Sequence, residues 1–331
     1  MTDSLEMRAL IVDSANGPLR LTSMQRPEPA AGQVLVRIKA SGLNPLDGKI
    51  RAGQAAHAKQ PLPAVLGIDL AGVVDALGEG VSGWVPGDEV YAMATGIGGA
   101  QGSLAEYAVV DARLLAPKPR NLSLREAAGL PLVLITAWEG LVDRARVRAG
   151  QKVLIHGGAG GVGHVAVQLA RALGAEVFAI GSARHQALIE GFGATFIDRN
   201  ALVEDYVAEH TGGEGFDIVY DTVGGATLDA SFKAARVYHG HVVSCLGWGQ
   251  HSLAPLSFRG ASYSGVFTLL PLLTGKGGDH HGQILRKAGQ LIEAGKLKPL
   301  LDPRQFTLHT AEAALELLES GAAQGRMVVE I

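Results

Sequence analysis

Residues 156–163 read HGGAGGVG and run straight into HVAVQLARALGAEVFAIGSAR, which ends at residue 184. The stretch before it, KVLIH (Lys152–His156), is short, branched and apolar, as a buried parallel strand would be. Beyond the glycines, Val162, Val165, Ala166, Leu169 and Leu173 recur at helical spacing. Gly174 stops that helix, and EVFAI (Glu176–Ile180) reads as the next strand. Strand, glycine turn, helix and strand within about thirty residues make the βαβ unit that binds dinucleotides. Gly158-x-Gly160-x-x-Gly163 has the fingerprint spacing. One glycine allows the tight turn, one lets backbone approach a pyrophosphate, and one lets the helix pack close on the strand. Gly158, Gly160, Gly161 and Gly163 are therefore candidate phosphate contacts, and the helix N-terminus behind them offers free N–H groups and partial positive charge.

The chain has 331 residues, more than most single cores hold, so two domains are expected. Its net charge is −3, with no basic surplus of the kind that marks nucleic-acid binding. The basic runs RLLAPKPR (113–120) and RARVR (144–148) read as solvated connectors. The opening MTDSLEMRALIV carries acids and lacks a signal-peptide core, and no apolar run reaches membrane length. A single cysteine, Cys245, excludes an intrachain disulfide and fits a reducing cytoplasm.

The first third has short alternating strands, such as ALIVD and QVLVRIKASG, separated by Pro/Gly-rich turns, which predicts an antiparallel β domain. From about Leu124 strands alternate with helices. After the βαβ unit come ATFID (194–198), FDIVYD (216–221), HVVSCLG (241–247) and ASYSGVF (261–267). Six strands at that rhythm complete a doubly wound α/β sheet. The remaining residues hold an amphipathic helix, HGQILRKAGQLIEAG, then TAEAALELLESG and a final strand, RMVVEI. With the sheet already complete, this segment is expected to return to the first domain. The division predicted is 1–123 completed by 270–331, with 124–269 as the nucleotide-binding domain.

Four further stretches precede the glycine turn in order: SGLNPLDGKIRAG (41–53), PAVLGIDLAGVVDALGEGVSGWVPGDEVYA (63–92), GSLAEYAVV (102–110) and PLVLITAWEGL (131–141). Together they resemble the medium-chain dehydrogenase/reductase superfamily over essentially the whole chain, and in particular its zinc-free quinone oxidoreductase (zeta-crystallin-like) branch. The resemblance implies a GroES-like β domain, a Rossmann domain with a six-stranded parallel sheet, and an active-site cleft between them.

A catalytic zinc needs three Cys, His or carboxylate ligands and one open position. Zinc-dependent relatives place their ligands at positions that match Asn44, Ile68-Asp69 and Leu132, and only Asp69 could ligate. AMATGIGGAQG (92–102) runs through the structural-zinc region without a cysteine. His239-x-His241 and His280-His281 have no third ligand beside them in sequence, so no metal is expected. Without a Lewis acid, a conjugated enone or quinone suits hydride transfer better than an alcohol does, because its carbonyl makes the β-carbon electrophilic. Hydrogen-bond donors would then stabilise the enolate. The resemblance puts Asn44 beside nicotinamide and substrate, with Asp47 and Arg51 shaping the loop. Lys49 stands where many relatives have a tyrosine, which makes its ammonium a candidate near the cofactor.

An NAD enzyme holds the ribose with an acid at the end of the second strand. Here the residues are Gly181-Ser182-Ala183-Arg184-His185, and Glu176 lies at the strand's entry. Arg184, with Ser182 beside it, predicts a 2′-phosphate and hence NADPH, since arginine matches phosphate oxygens with paired donors. By resemblance Thr136, Val162, Thr222, Leu246 and Phe267 line the rest of the nucleotide site. The predicted activity is NADPH-dependent reduction of quinones or α,β-unsaturated carbonyls. Enoyl-thioester reduction and an NADPH-binding structural or RNA-binding role are the alternatives, the last disfavoured by the charge balance. The partners expected are a small-molecule substrate, no membrane, no nucleic acid, and a second copy of the chain pairing through ASYSGVF.

Overall fold

The computed structural model describes residues 6–331; residues 1–5, part of the opening read as lacking a signal-peptide core, lie outside the described residues. The chain divides into two units.

The unit of residues 133–268 and 294–298 is built on six parallel strands. Across the sheet they run Thr195–Asp198, Glu176–Gly181, Lys152–His156, Ile218–Asp221, His241–Ser244 and Ser262–Gly265, each pairing in parallel with its neighbours. Val153, Leu154 and Ile155 are fully buried, as a strand covered on both faces requires. Strand order reverses between Lys152–His156 and Ile218–Asp221, the switch point where sheets of this kind bind ligands beyond their carboxyl ends. One face packs Leu154, Phe178, Phe216, Val219, Phe232 and Val242 together, with the rings of Phe178 and Phe216 edge to face at 5.3 Å. The helix after the glycine turn is Gly161–Ala172, and Gly174 at φ +86° ends it. The Gln168 side chain on that helix donates to the Lys298 carbonyl (3.0 Å) and accepts its N–H (2.9 Å), which binds the late five-residue segment 294–298 into this unit. The sequence offers no sign of that short return.

The other unit comprises residues 6–132 together with 269–293 and 299–331. Its main sheet has seven strands, and a three-stranded one pairs Glu6–Val12 with Arg20–Gln25 and Ala64–Val65. The long strand Gln33–Leu43 is central. It pairs antiparallel with Asp69–Leu77, Tyr107–Asp111 and the late strand Met327–Glu330, in the register Met327↔Leu43. Helix Gly278–Glu293 is tied in where the Tyr91 hydroxyl donates to the Leu285 carbonyl at 2.6 Å. Composition changes at Leu124, but the contacts change at Leu132. The helix Leu124–Ala128 packs on the strands Gln33–Leu43 and Asp69–Leu77, so closely that a Cβ on Gly42 would come within 2.1 Å of the Ala128 carbonyl oxygen. Among the described residues no helix is long and apolar enough to cross a membrane.

Candidate functional site

In the six-stranded unit the glycine turn is held by backbone bonds. Gly158 N–H donates to the Ile180 carbonyl (3.0 Å) and Gly160 N–H to the Gly157 carbonyl (2.8 Å). A Cβ on Gly163 would lie 2.0 Å from the Gly157 oxygen, and one on Gly158 would lie 2.7 Å from the Ala179 Cβ. Neither position tolerates a side chain, so the first keeps the helix against the turn and the second keeps the turn against the next strand. His164 N–H makes the first backbone bond inside the helix, to the Gly160 carbonyl at 3.0 Å. The amides of Gly161, Val162 and Gly163 precede it, as helix-start donors do. This cradle fits the pyrophosphate of a dinucleotide.

The other residues named for the nucleotide site follow the carboxyl ends of the same strands. Ser182 and Arg184 come after Glu176–Gly181, Thr222 after Ile218–Asp221, Leu246 after His241–Ser244, and Phe267 after Ser262–Gly265. Ser182 Oγ is 3.2 Å from His185 Nδ1, while Arg184 is exposed. Burial and the neighbouring Arg184 guanidinium both push the His185 pKa down. Thr222 donates its hydroxyl to the His156 carbonyl at 2.6 Å, and Phe267 meets Trp248 edge to face at 6.0 Å. Thr136 is attached by its own carbonyl, which accepts the buried Tyr220 hydroxyl at 2.7 Å.

Two residues at this edge have no counterpart in the sequence reading. Asp221 is fully buried and takes the Gly224 N–H (2.9 Å) and the Ser244 hydroxyl (2.7 Å), so this acid shapes its own turn. His156 is buried with Nε2 unpartnered among the described residues, and burial lowers its pKa to about 4, which leaves the ring neutral. An acid followed by Thr-Val-Gly-Gly at a strand end was the available signal for Asp221.

The candidates of the 41–53 stretch separate sharply in the other unit. Pro45–Arg51 is a short helix, with the Asp47 carboxylate accepting the Asn44 backbone N–H at 2.7 Å and the Gly67 N–H at 3.0 Å. Asn44 Nδ2 donates to Asp69 Oδ2 (3.0 Å), and Asp69 Oδ1 accepts the Leu132 N–H (2.9 Å). Arg326 completes the knot: Nη2 donates to Asn44 Oδ1 (2.6 Å) and lies 3.5 Å from Asp69 Oδ2, and Nε donates to the Gly129 carbonyl (2.8 Å). Asn44, Asp47, Asp69 and Arg326 are all buried. Lys49 instead faces solvent, and Arg51 forms ion pairs with Glu312 (2.6 Å) and Glu319 (3.2 Å). Burial raises Asp69 to about 7 against the pull of Arg326 and Asn44. Burial likewise raises Asp47 to about 6, against the Asn44 and Gly67 amides, and depresses Arg326.

Comparison with known proteins gives these two places a family. Residues 30–120 match the alcohol dehydrogenase GroES-like domain, and residues 192–329 match the zinc-binding dehydrogenase family. The chain is 36% identical to an Arabidopsis thaliana NADPH-dependent alkenal/one oxidoreductase, covering 98% of this chain and 79% of the relative. It is 32% identical to the quinone oxidoreductase of Rattus norvegicus over 98% and 97% of the two chains. An alcohol dehydrogenase superfamily protein from Novosphingobium aromaticivorans superposes with a TM-score of 0.96 at 55% identity, over 98% of this chain and 99% of its own. The chain belongs to the medium-chain dehydrogenase/reductase superfamily, in its quinone and alkenal/one oxidoreductase branch. It is an oxidoreductase of a family that uses NAD(P)H.

Zinc does not fit, despite the family description. At the positions that match the metal ligands, Ile68 and Leu132 carry no ligand atom. Asp69 has both oxygens committed to Asn44, Leu132 and Arg326. Among the described residues no group of three or more His, Cys, Asp or Glu gathers.

The buried carboxylates predict how stability varies with pH. Their pKa values in the folded chain lie above the ordinary 3.8, at about 7 for Asp69 and about 6 for Asp47. The folded state therefore holds protons that the unfolded state has released. Their stabilising contribution is full below pH 3.8 and is lost as pH rises through 6 and 7. Asp69→Asn should remove its share of that slope, at most about 1.4 kcal/mol per pH unit. Denaturant midpoints of both proteins across the window would measure it, and parallel curves would refute the assignment.

Proposed function

We propose that the protein reduces quinones or α,β-unsaturated carbonyls with NADPH, without a metal. The observation that carries this reading is the metal-incompatible knot of Asn44, Asp69 and Arg326 in a chain whose glycine turn fits a dinucleotide. NADPH supplies a hydride when bound. In an enone, hydride arriving at the β-carbon would move the double-bond electrons toward oxygen, and the α-carbon would then take a proton from solvent. In a quinone, hydride and one proton would together give the hydroquinone. The developing oxyanion needs a donor, and Asn44 has one: Nδ2 spends one hydrogen on Asp69, and its other contact, Gly42 O, is at 3.5 Å. The alkenal/one and quinone activities named for the relatives support the substrate class. The phosphate amides are Gly161, Val162 and Gly163, with Gly158 and Gly160 keeping the backbone close. Thr136, Thr222, Leu246 and Phe267 are proposed to complete the nucleotide site. Arg184 and Ser182 follow a strand that ends in no acid, and Glu176 lies at its opposite end, paired with Lys152. That end suits a 2′-phosphate rather than bare ribose hydroxyls.

The strand Ser262–Gly265 is the outermost of its sheet and pairs on one side only, with His241–Ser244. A homodimer is proposed, formed when two such strands pair across a two-fold axis. Light scattering at micromolar concentration should give twice the chain mass, and a monomer would refute it.

Oxidation of NADPH should be followed with a panel of quinones, short enones and enoyl-thioesters. Turnover confined to thioesters, or to none of the panel, would overturn the substrate assignment. Asn44→Ala should lower kcat on accepted substrates while NADPH binding stays near normal. Full turnover in that variant would move the donor elsewhere, with Lys49 the next residue to test.

Arg184→Glu should raise KM for NADPH by roughly ten- to a hundred-fold, the worth of a charge-assisted contact of about 1.5–3 kcal/mol. KM for NADH and the saturated turnover should hardly change. Equal weakening of both cofactors would make Arg184 a loop residue with no part in reading the phosphate.

A further inference from the structure

Asn44 could sit in its pocket two ways, since an amide can exchange its oxygen and nitrogen ends with little change of shape. What settles the choice is the partner at each end. A guanidinium has donors only, so the atom 2.6 Å from Arg326 Nη2 must be the oxygen. The nitrogen then faces Asp69 Oδ2 at 3.0 Å, where an acceptor waits. Arg326 itself cannot swing away. Its backbone N–H donates to the Leu300 carbonyl (2.7 Å), its carbonyl accepts the Asp302 N–H (3.0 Å), and its Nε is fixed on the Gly129 carbonyl (2.8 Å). At 4% exposure it has no water to turn to.

We propose that Arg326 is a positioning residue for the reaction: it holds the Asn44 amide with its oxygen toward the guanidinium, so that the Nδ2 hydrogen not taken by Asp69, whose other contact is the Gly42 carbonyl at 3.5 Å, is the one offered to the substrate oxygen. The proposal rests on the reading of Asn44 as carbonyl donor. Arg326 lies 282 residues along the chain from Asn44, and touches the reaction only through it. The role uses both features of the side chain, its permanent positive charge and its several donors in fixed directions, which lysine only half reproduces. Without Arg326, Asn44 can turn over. Its oxygen could then accept from a protonated Asp69, and the donor aimed at the substrate would be lost.

The test is a double-variant cycle on kcat with one quinone and one short enone, using the full chain. Arg326→Met should lower kcat by roughly 10–100-fold, the scale of a mispositioned catalytic group. The dissociation constant of NADPH, read by fluorescence, should stay within about two-fold. In an Asn44→Ala background the same substitution should have almost no further effect, because the group it positions is gone. Arg326→Lys should recover part of the lost kcat. In the protein without cofactor, the Asn44 side-chain NH2 resonances should shift markedly in Arg326→Met and little in Arg326→Lys. If Arg326→Met leaves two buried carboxylates unbalanced and fails to fold, Arg326→Met/Asp69→Asn removes one charge of each sign and is compared with Asp69→Asn alone.

Three results would overturn the proposal: unchanged kcat in Arg326→Met alongside a clear loss in Asn44→Ala, losses in kcat that simply multiply, or weakened NADPH binding that accounts for the whole effect. Full turnover in Asn44→Ala is a different failure. It removes the donor reading itself, and the proposal with it, whatever Arg326 does.

Discussion

A guanidinium taken out of water costs several kcal/mol unless acceptors stand ready around it. Meeting that demand organises the interior of the first unit. Arg326 draws acceptors from Gly129, Asn44 and Asp69, three stretches far apart in the chain. Each is then fixed by a further bond. Asp47 clasps the Asn44 and Gly67 amides, and the Ser103 hydroxyl donates to the Asp69 carbonyl while lying 2.7 Å from the Ser41 hydroxyl. Gly67, at φ +103°, has no room for a side chain because Ser103 Oγ would be 2.3 Å from its Cβ. The stretches that carry the candidate chemistry are therefore pinned to one another through polar contacts that exclude water.

The second unit is built for an anion by the opposite means. Its glycine turn offers backbone amides and a lack of side chains. His156 is held neutral by burial, and Asp221 spends its carboxylate on the Val223 and Gly224 amides and the Ser244 hydroxyl. An anion approaching the turn meets donors, while the buried Asp221 carboxylate is already occupied.

This contrast decides how much could be read from the sequence. The nucleotide fold was legible because its signals are local: alternating apolar strands, a helical stripe from Val162 to Leu173, and glycines at fixed offsets all lie within one βαβ unit. The strands came out close to their observed limits, although HVVSCLG and ASYSGVF supply only the four residues His241–Ser244 and Ser262–Gly265 respectively. Asn44, Asp47, Lys49 and Arg51 could be picked out as chemically able, but not sorted. The short helix Pro45–Arg51 turns Asp47 inward and Lys49 outward, and acids on a distant helix capture Arg51. Arg326 was invisible. Nothing in QGRMVVEI marks a buried cation, because its partners lie 197 to 282 positions away. The composition shift at Leu124 falls short of the change in contacts at Leu132 for a related reason. The helix that begins there is made of ordinary helix formers, and distant contacts, such as Gly42 against Ala128 and the Arg125 guanidinium on the Asp302 and Arg304 carbonyls, place it in the β unit.

The way the chain shuttles between units has a consequence for its synthesis. The strand Met327–Glu330 lies inside its sheet, between Gln33–Leu43 and Phe306–Thr307, yet it follows every other strand of that sheet in sequence. Residues 294–298 likewise reach the parallel-sheet unit after all six of its strands. A ribosome that has delivered the whole glycine turn and its sheet has therefore still not delivered a finished copy of either unit. Until the strand Met327–Glu330 emerges, the Ala40–Leu43 end of one flank of Gln33–Leu43 is without its partner, and the acceptors grouped around Asn44 and Asp69 are waiting for a cation not yet made. Such a nascent chain presents an open sheet edge, the kind of surface that chaperones shield. Completion is late, and it comes to both units within a few dozen residues of each other.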